Sequence, residues 1–597
     1  MLNKVKILII DSGVWVEHPD LKNEDIKGML WIDGEMRSEI YDNFGHGTAV
    51  YGIIRNACSF AEIINIKLNN IENGVEYSEL VKLLKYIYLN IEVDIINLSI
   101  GLEDSECLKD LYPICQCLYE KGIVILSAFS NEGCISYPAA FDNVIGVCSD
   151  MRCWKNDIFY YVDNDIMNLC AKGGKQRLFW HQPDYIIGQG NSFACAHATV
   201  QAAKFMAEGK KTFKNIIQSF KNISKQCYHL YDRNRKEECQ FKIESAVLFP
   251  FSKEMHSLLR YHKMLPFTIK AVYDVKYSVT VGYTTQQCMD DKKVLNITIR
   301  NIKDINWDEF DTLVLGHMDE LSALLDKKDL KEIIIKEALD KGKQVFSFDD
   351  LSEYVDRNSN KIYFPIINQN NVPPNILGML YHITKPIVGV FGTSSRQGKF
   401  TLQLKLREIL VKQGYKVGQI GTEPSSLLFG FDYCYPMGYN SSVYIHEYDV
   451  VRYINHIINK LCVQDFEIIL VGSQSGTIPF NTDNILQFTI PQQIFLTATQ
   501  PDCVVLCVNP FDEISYIRRT ILYIESSIDT KVISIVVFPM DISANQYGLF
   551  QGKTKLGREN YNKIKKIFEC EFHVPVFNLD DEAGMEELVE EITDFFS

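Results

Sequence analysis

Residues 190–197 read Gly190-Asn191-Ser192-Phe193-Ala194-Cys195-Ala196-His197. Ser192 stands among small residues directly before a mostly apolar run, 193–206, whose composition predicts a buried helix. A serine there meets the first backbone N–H groups and the positive end of the helix dipole. Both favour negative charge developing nearby. N-capping accounts for most serines at helix starts, so the stretch takes its meaning from what lies upstream.

Residues 5–10 are an unbroken apolar, β-prone run, the pattern of a strand buried on both faces of a parallel sheet. The run ends in Asp11-Ser12-Gly13, which puts a carboxylate where open α/β sheets keep functional groups. In Asp42-Asn43-Phe44-Gly45-His46-Gly47-Thr48, glycines flank a histidine at a predicted helix start and leave its imidazole uncrowded. Further strands are expected at 61–67, 94–100, 123–128 and 144–148, with a helix at 77–89. The third of these strands runs into Ser130-Asn131-Glu132-Gly133. Asn131 there suits either an oxyanion donor or an Asx turn.

The order Asp11, His46, Asn131, Ser192 joins these signals. With Ile9-Ile10-Asp11-Ser12-Gly13, Gly45-His46-Gly47-Thr48, Asn97-Leu98-Ser99-Ile100-Gly101, Ser130-Asn131-Glu132-Gly133 and Gly190-Asn191-Ser192-Phe193-Ala194, it resembles the subtilisin-like serine proteases. The resemblance implies that Ser192 attacks the scissile carbonyl, His46 takes its proton and Asp11 orients His46. It implies that Asn131 and the Ser192 N–H hold the oxyanion, the amide being worth about 3 to 4 kcal/mol. Ser99, Ile100 and Gly101 would line the cleft and pair with an extended substrate backbone. Two departures stand out: Asn191 and Phe193 flank Ser192 where the family has threonine and methionine, and Ser130 replaces the glycine before Asn131. Residues 55–59 are too short for the calcium loop of secreted members, so no calcium is expected. The first strand begins close to Met1, so no prodomain is expected either. Both expectations fit an intracellular processing enzyme.

Over 597 residues the net charge is −15, with a pI near 5.4, against broad nucleic-acid or anionic-membrane partners. No apolar run reaches the ~18 residues of a membrane span, and no signal peptide is legible. The 17 cysteines show no paired spacing and read as reduced core thiols, which points to the cytoplasm.

Three domains are expected: 1–237, 238–380 and 381–597. In the middle one, strands at 246–249, 269–274, 311–316 and 345–350 alternate with helices at 255–259 and 331–341, predicting a Rossmann-like parallel sheet. Asp274, His317, Asp319, Asp349 and Asp350 sit at its strand ends, mostly as turn formers. No Gly-x-Gly-x-x-Gly fingerprint appears, so no ligand is assigned.

The last domain opens with a strand at 387–391, then Gly392-Thr393-Ser394-Ser395-Arg396-Gln397-Gly398-Lys399-Phe400-Thr401 and a helix from about 402. Strand, glycine-rich loop, lysine and helix make a phosphate cradle. Five residues rather than four lie between its glycines, and Phe400 stands where Ser or Thr follows the lysine. This spacing resembles dethiobiotin synthetase-like NTPases and implies ATP or GTP with magnesium at Gly392, Gly398, Lys399 and Thr401. Thr401 and Glu423 are the candidate metal ligands, and Gln474 would position a water or phosphate. Residues 580–591 read as a solvated amphipathic helix. The loop, together with Phe249-Pro250-Phe251-Ser252-Lys253-Glu254 and Leu259-Arg260-Tyr261-His262, also resembles proteins found beside clostridial-style peptide maturation systems.

The expected fold is α/β throughout, a subtilisin-like sheet followed by Rossmann-like and P-loop domains. The expected function is leader removal from a ribosomally made precursor peptide, with nucleotide regulating or accompanying it. An ATP-dependent peptide ligase with a secondary protease, or a non-catalytic peptide-binding scaffold, are the alternatives. Oligomeric state is not legible.

Overall fold

The computed structural model describes all residues except 1–3, 23, 69–74, 105–106, 164–167, 226, 230–241, 277, 319–329, 355–359, 374–377, 439, 482–488 and 542–553. Two compact units emerge: Met1–Asn234 with Pro374–Thr384, and Arg235–Pro373 with Lys385–Ser597.

Unit one is built on the strand Val5–Asp11, which pairs in parallel with Ala61–Leu68 on one side and Ile95–Leu98 on the other. Val124–Ala128, Ile145–Ser149 and Asn168–Ala171 extend the parallel sheet, and Lys27–Ile32 flanks its far side. Side chains alternate across a strand, so Val5, Ile7 and Ile9 join one core and Leu8 and Ile10 the other. The first core lies under the helices His46–Ala57 and Asn191–Ala207, the second under Tyr77–Asn90 and Leu108–Glu120. Both faces being covered is why residues 5–10 carry no polar alternation. Asn191–Ala207 is alanine-rich and buried along most of its length, which lets it pass close over the sheet. It starts earlier than expected, so Ser192 lies in its first turn and Gly190 takes the cap position.

Unit two holds two parallel sheets. In the first, the strands in spatial order are Ile299–Asn301, Thr268–Asp274, Ser245–Phe249, Thr312–Leu315, Gln344–Ser347 and Ile362–Tyr363. That is 3-2-1-4-5-6 in chain order, doubly wound about its first strand. The outer strands at 299–301 and 362–363 carry too few residues to show a pattern in the sequence. The second sheet runs Tyr433–Cys434, Val417–Gly421, Ile468–Gly472, Ile387–Gly392, Cys503–Val508, Lys531–Val537 and Val576–Asn578. Leu248, Phe346 and Phe348 of the first sheet share one apolar cluster with Leu404, Leu428, Phe429 and Phe431.

Two local expectations are corrected. The helix after the glycine-rich loop is Lys399–Lys412, starting at the lysine itself, because Gly398 adopts φ 74° and caps it there. The acidic C-terminal helix, Glu582–Phe595, is more than a solvated surface element: it buries Met585, Leu588, Val589 and Ile592 in the core below the loop.

Candidate functional site

Asp11 ends its strand 1% exposed, and His46 opens its helix pointing back at it. His46 Nδ1 donates to Asp11 Oδ1 at 2.8 Å, and the Ser12 N–H donates to the same oxygen at 2.8 Å. Gly45 is the only residue type that fits before His46: its φ is 104°, and a Cβ would meet His181 N and Trp180 at 2.8 Å. Asp42 accepts from Gly45 N, Thr48 N and Thr48 Oγ1 and so fixes this helix start. Burial disfavours the His46 imidazolium, but the charge of Asp11, its hydrogen bond and Asp42 outweigh it. The His46 pKa therefore lies above the ordinary 6.5.

Ser192 is 8% exposed, and its neighbour Phe193 tilts its ring against His46 with centroids 5.5 Å apart. Among the described residues no hydrogen bond joins Ser192 to His46. Such bonds commonly tighten only when substrate arrives. Asn131 is exposed at the end of Val124–Ala128, and its Oδ1 accepts from Asn191 N at 3.0 Å, one residue from Ser192. Asn191 Nδ2 in turn donates to the carbonyls of Phe129 and Ser130, tying the two loops together. The structure thus brings Asp11, His46, Asn131 and the Ser192 turn to one end of the sheet.

Ser99, Ile100 and Gly101 follow the strand Ile95–Leu98, with Gly101 exposed against the Asn131 loop. A Cβ at Gly101 would lie 2.8 Å from Ser136 Oγ and 3.1 Å from Ser130 N. Ser130 itself donates its hydroxyl to Glu103 and receives Glu132 N. The aromatic wall beside His46 was not read from the sequence. Phe44 stacks near His46, Trp180 meets Phe44, and His181 meets Trp15. Trp180 and His181 follow the hairpin strand Gln176–Phe179, and nothing local in the sequence ties them to residue 46.

In unit two, Lys399 is 4% exposed and its Nζ donates to the Ser394 carbonyl at 2.7 Å. Burial pulls its pKa down to about 8, with Cys507 and Glu423 pulling the other way. A buried cation held by a neutral carbonyl at a helix N-terminus fits an anionic ligand, so the loop suits a phosphate. Gln397 Oε1 accepts from Ser394 N, and Thr393 Oγ1 donates to Asp512, which shape the loop from below.

Thr401 Oγ1 accepts a 2.9 Å hydrogen bond from the hydroxyl of Tyr261, a residue of the first sheet's region. Burial raises the pKa of Glu423 against the opposing charges of Lys253 and Lys399. Gln474 Nε2 donates to the Thr422 carbonyl beside Glu423. Tyr261 reaches Thr401 only through the tertiary fold, from 140 positions away in the chain. Phe400 stacks on Phe431 at 5.7 Å and meets Phe429 at 5.6 Å. Its ring therefore serves packing, which explains the missing Ser/Thr.

Among the strand-end residues of the first sheet, Asp274 accepts from Val275 N, Ser278 Oγ and Thr280 Oγ1, and Asp350 from Ser352. These are turn bonds. His317 Nδ1 meets Asp349 Oδ1 at 2.7 Å, both buried. Burial raises the Asp349 pKa, but bonds from His317 and Met318 N outweigh it and leave it low. Asp319 lies outside the described residues.

Residues 3–219 match the model of the Subtilase family, Peptidase_S8. Residues 376–589 match a P-loop model described as a domain of unknown function, DUF1611_C. The major intracellular serine protease of Bacillus subtilis (strain 168) is 30% identical over 234 residues, covering 36% of this chain and 72% of that one. Subtilisin DY of Bacillus licheniformis is 31% identical over 220 residues, covering 34% and 77%. A solved lanthipeptide protease aligns with 21% identity and a TM-score of 0.30, covering 36% of this chain and 78% of that one. No helix among the described residues is long and apolar enough to cross a membrane.

Proposed function

The chain belongs to the subtilase family of serine endopeptidases, and from that premise we propose that it is a cytoplasmic processing protease that trims a ribosomally made precursor peptide, with ATP or GTP bound at its P-loop. The observation that carries the peptidase reading is the 2.8 Å hydrogen bond from His46 Nδ1 to the buried Asp11 carboxylate. That bond fixes the tautomer in which Nε2 is free to accept the Ser192 proton. Ser192 Oγ then attacks the scissile carbonyl, and His46 returns the proton to the leaving amine. Asn131, its Oδ1 held by the Asn191 N–H, donates from Nδ2 to the oxyanion, joined by the Ser192 N–H. The substrate backbone lies along Ser99, Ile100 and Gly101, where the exposed Gly101 leaves room for strand addition.

Gly392, Gly398, Lys399 and Thr401 would hold the nucleotide phosphates, with Thr401 and Glu423 as magnesium ligands and Gln474 beside them. The bound nucleotide supplies phosphate charge that neutralises Lys399. Lys253 and Tyr261 complete this site from the first sheet's side. Likeness to the major intracellular serine protease of Bacillus subtilis supports the cytoplasmic reading.

Fluorophosphonate labelling of the full chain tests both halves. Wild type is expected to label and Ser192→Ala to stay unlabelled, with magnesium-ATP changing the wild-type rate. No labelling of wild type under any condition sinks the protease reading; a rate indifferent to ATP sinks the regulatory one.

A further inference from the structure

Three metal-ligating side chains converge in unit one from remote points of the sequence. Glu103 follows the cleft segment Ser99–Gly101, Cys134 lies in the short strand Cys134–Ile135 after Asn131, and His382 follows Leu380–Tyr381. One carboxylate oxygen, one thiol sulfur and one imidazole nitrogen all lie within 4.8 Å of one another. Among the described residues no other group of three His, Cys, Asp or Glu side chains comes so close. Leu380–Tyr381 pairs in parallel with Cys134–Ile135, Leu380 opposite Cys134, and Met379 and Tyr381 pack on the second core of the unit. The backbone thus delivers His382 to the loop that bears Asn131.

We propose that Glu103, Cys134 and His382 bind a thiophilic divalent cation, zinc foremost, that clamps residues 378–384 to the Asn131 loop. Tetrahedral zinc with bonds of about 2.0 to 2.3 Å needs its donors roughly 3.3 to 3.8 Å apart. His382 Nδ1 and Glu103 Oε2 already lie 3.9 Å apart, and binding would draw the three donors closer together. Three protein ligands leave the fourth position to water. A thiolate with an imidazole selects zinc over calcium or magnesium, which prefer oxygen. On binding, the Cys134 thiol gives its proton to solvent, so affinity rises with pH. The arrangement also uses Ser130, which departs from the subtilase pattern. Its hydroxyl donates to Glu103, so it connects the metal ligand to the residue before Asn131.

The test is a cobalt titration of the reduced, chelator-stripped full chain. Wild type is expected to show a thiolate-to-cobalt charge-transfer band that one equivalent of zinc removes and excess calcium does not. Cys134→Ser is expected to lose the band, and His382→Ala to bind roughly tenfold more weakly or worse, each with an unchanged thermal melt. A wild type without the band overturns the site, and so does either variant that keeps wild-type affinity, since the other cysteines would then be the ligands. Zinc is expected to slow amide exchange across residues 378–384 in wild type and not in Cys134→Ser. Zinc bound without that protection overturns the clamp. None of these readouts depends on Ser192, so the result stands apart from the peptidase reading.

Discussion

Asp11 carries two duties that pull on one carboxylate: Oδ1 takes both His46 and Ser12 N, while Oδ2 is buried with no hydrogen-bond partner. The negative charge therefore has His46 as its main compensation, which is why the His46 pKa is raised despite burial. The sign follows. In the proposed mechanism the neutral imidazole is the base, so kcat/KM is expected to rise with pH through a value above 6.5 and to be lost in acid. The ion pair's contribution to folding runs the other way, complete below pH 6.5 and lost as pH climbs through the raised pKa. Asp11→Asn is expected to cut kcat roughly 10⁴-fold and to move the acid limb of the pH profile downward. An unmoved limb assigns it to another group. These residues were legible because each sits in a short, specific string. The aromatic wall of Phe44, Trp180 and His181 was not, since its members meet only across the fold.

For the helix Lys399–Lys412, the first turn faces two ways: Lys399 inward to the phosphate loop, Phe400 outward to Phe429 and Phe431. Phe400→Ser would restore the usual P-loop letter and still be harmful. It removes a half-buried ring from the shared cluster, at a cost of about 2 to 3 kcal/mol, below the range for fully buried phenylalanines. Denaturant unfolding checks the loss, and nucleotide titration is expected to show no tighter binding. Unchanged stability would mean that the ring is not needed for packing, and a gain in affinity that a hydroxyl here serves the nucleotide. The loop and its strand were legible from glycine spacing and an apolar run. The Tyr261 hydroxyl on Thr401 was not, because residues 140 positions apart leave no local periodicity. The acidic helix near the C-terminus is amphipathic as its pattern predicts, but its charges dominate the composition and hide how deeply its apolar stripe enters the core.

At the scale of the molecule, each unit has its own apolar cores, and only unit two carries the phosphate loop. Magnesium-ATP at a hundred times its Kd is expected to stabilise unit two by about 2.7 kcal/mol. In calorimetry one transition should rise accordingly while the one marked by loss of Ser192 labelling stays put. A nucleotide that raises neither transition does not bind the folded chain. The long strands of the sheets were broadly readable here, since buried apolar runs announce themselves, whereas their order in space was not. The return of residues 378–384 to unit one was not, because a two-residue pairing with Cys134–Ile135 has no sequence signature. That return also bears on biosynthesis. At roughly 5 to 20 residues per second a ribosome needs about 10 to 30 seconds to travel from residue 219 to residue 384. Throughout that interval the nascent chain holds Asp11, His46 and Ser192 but lacks the strand Leu380–Tyr381 that pairs with Cys134–Ile135. The last strand of unit one is thus translated only after the first sheet of unit two.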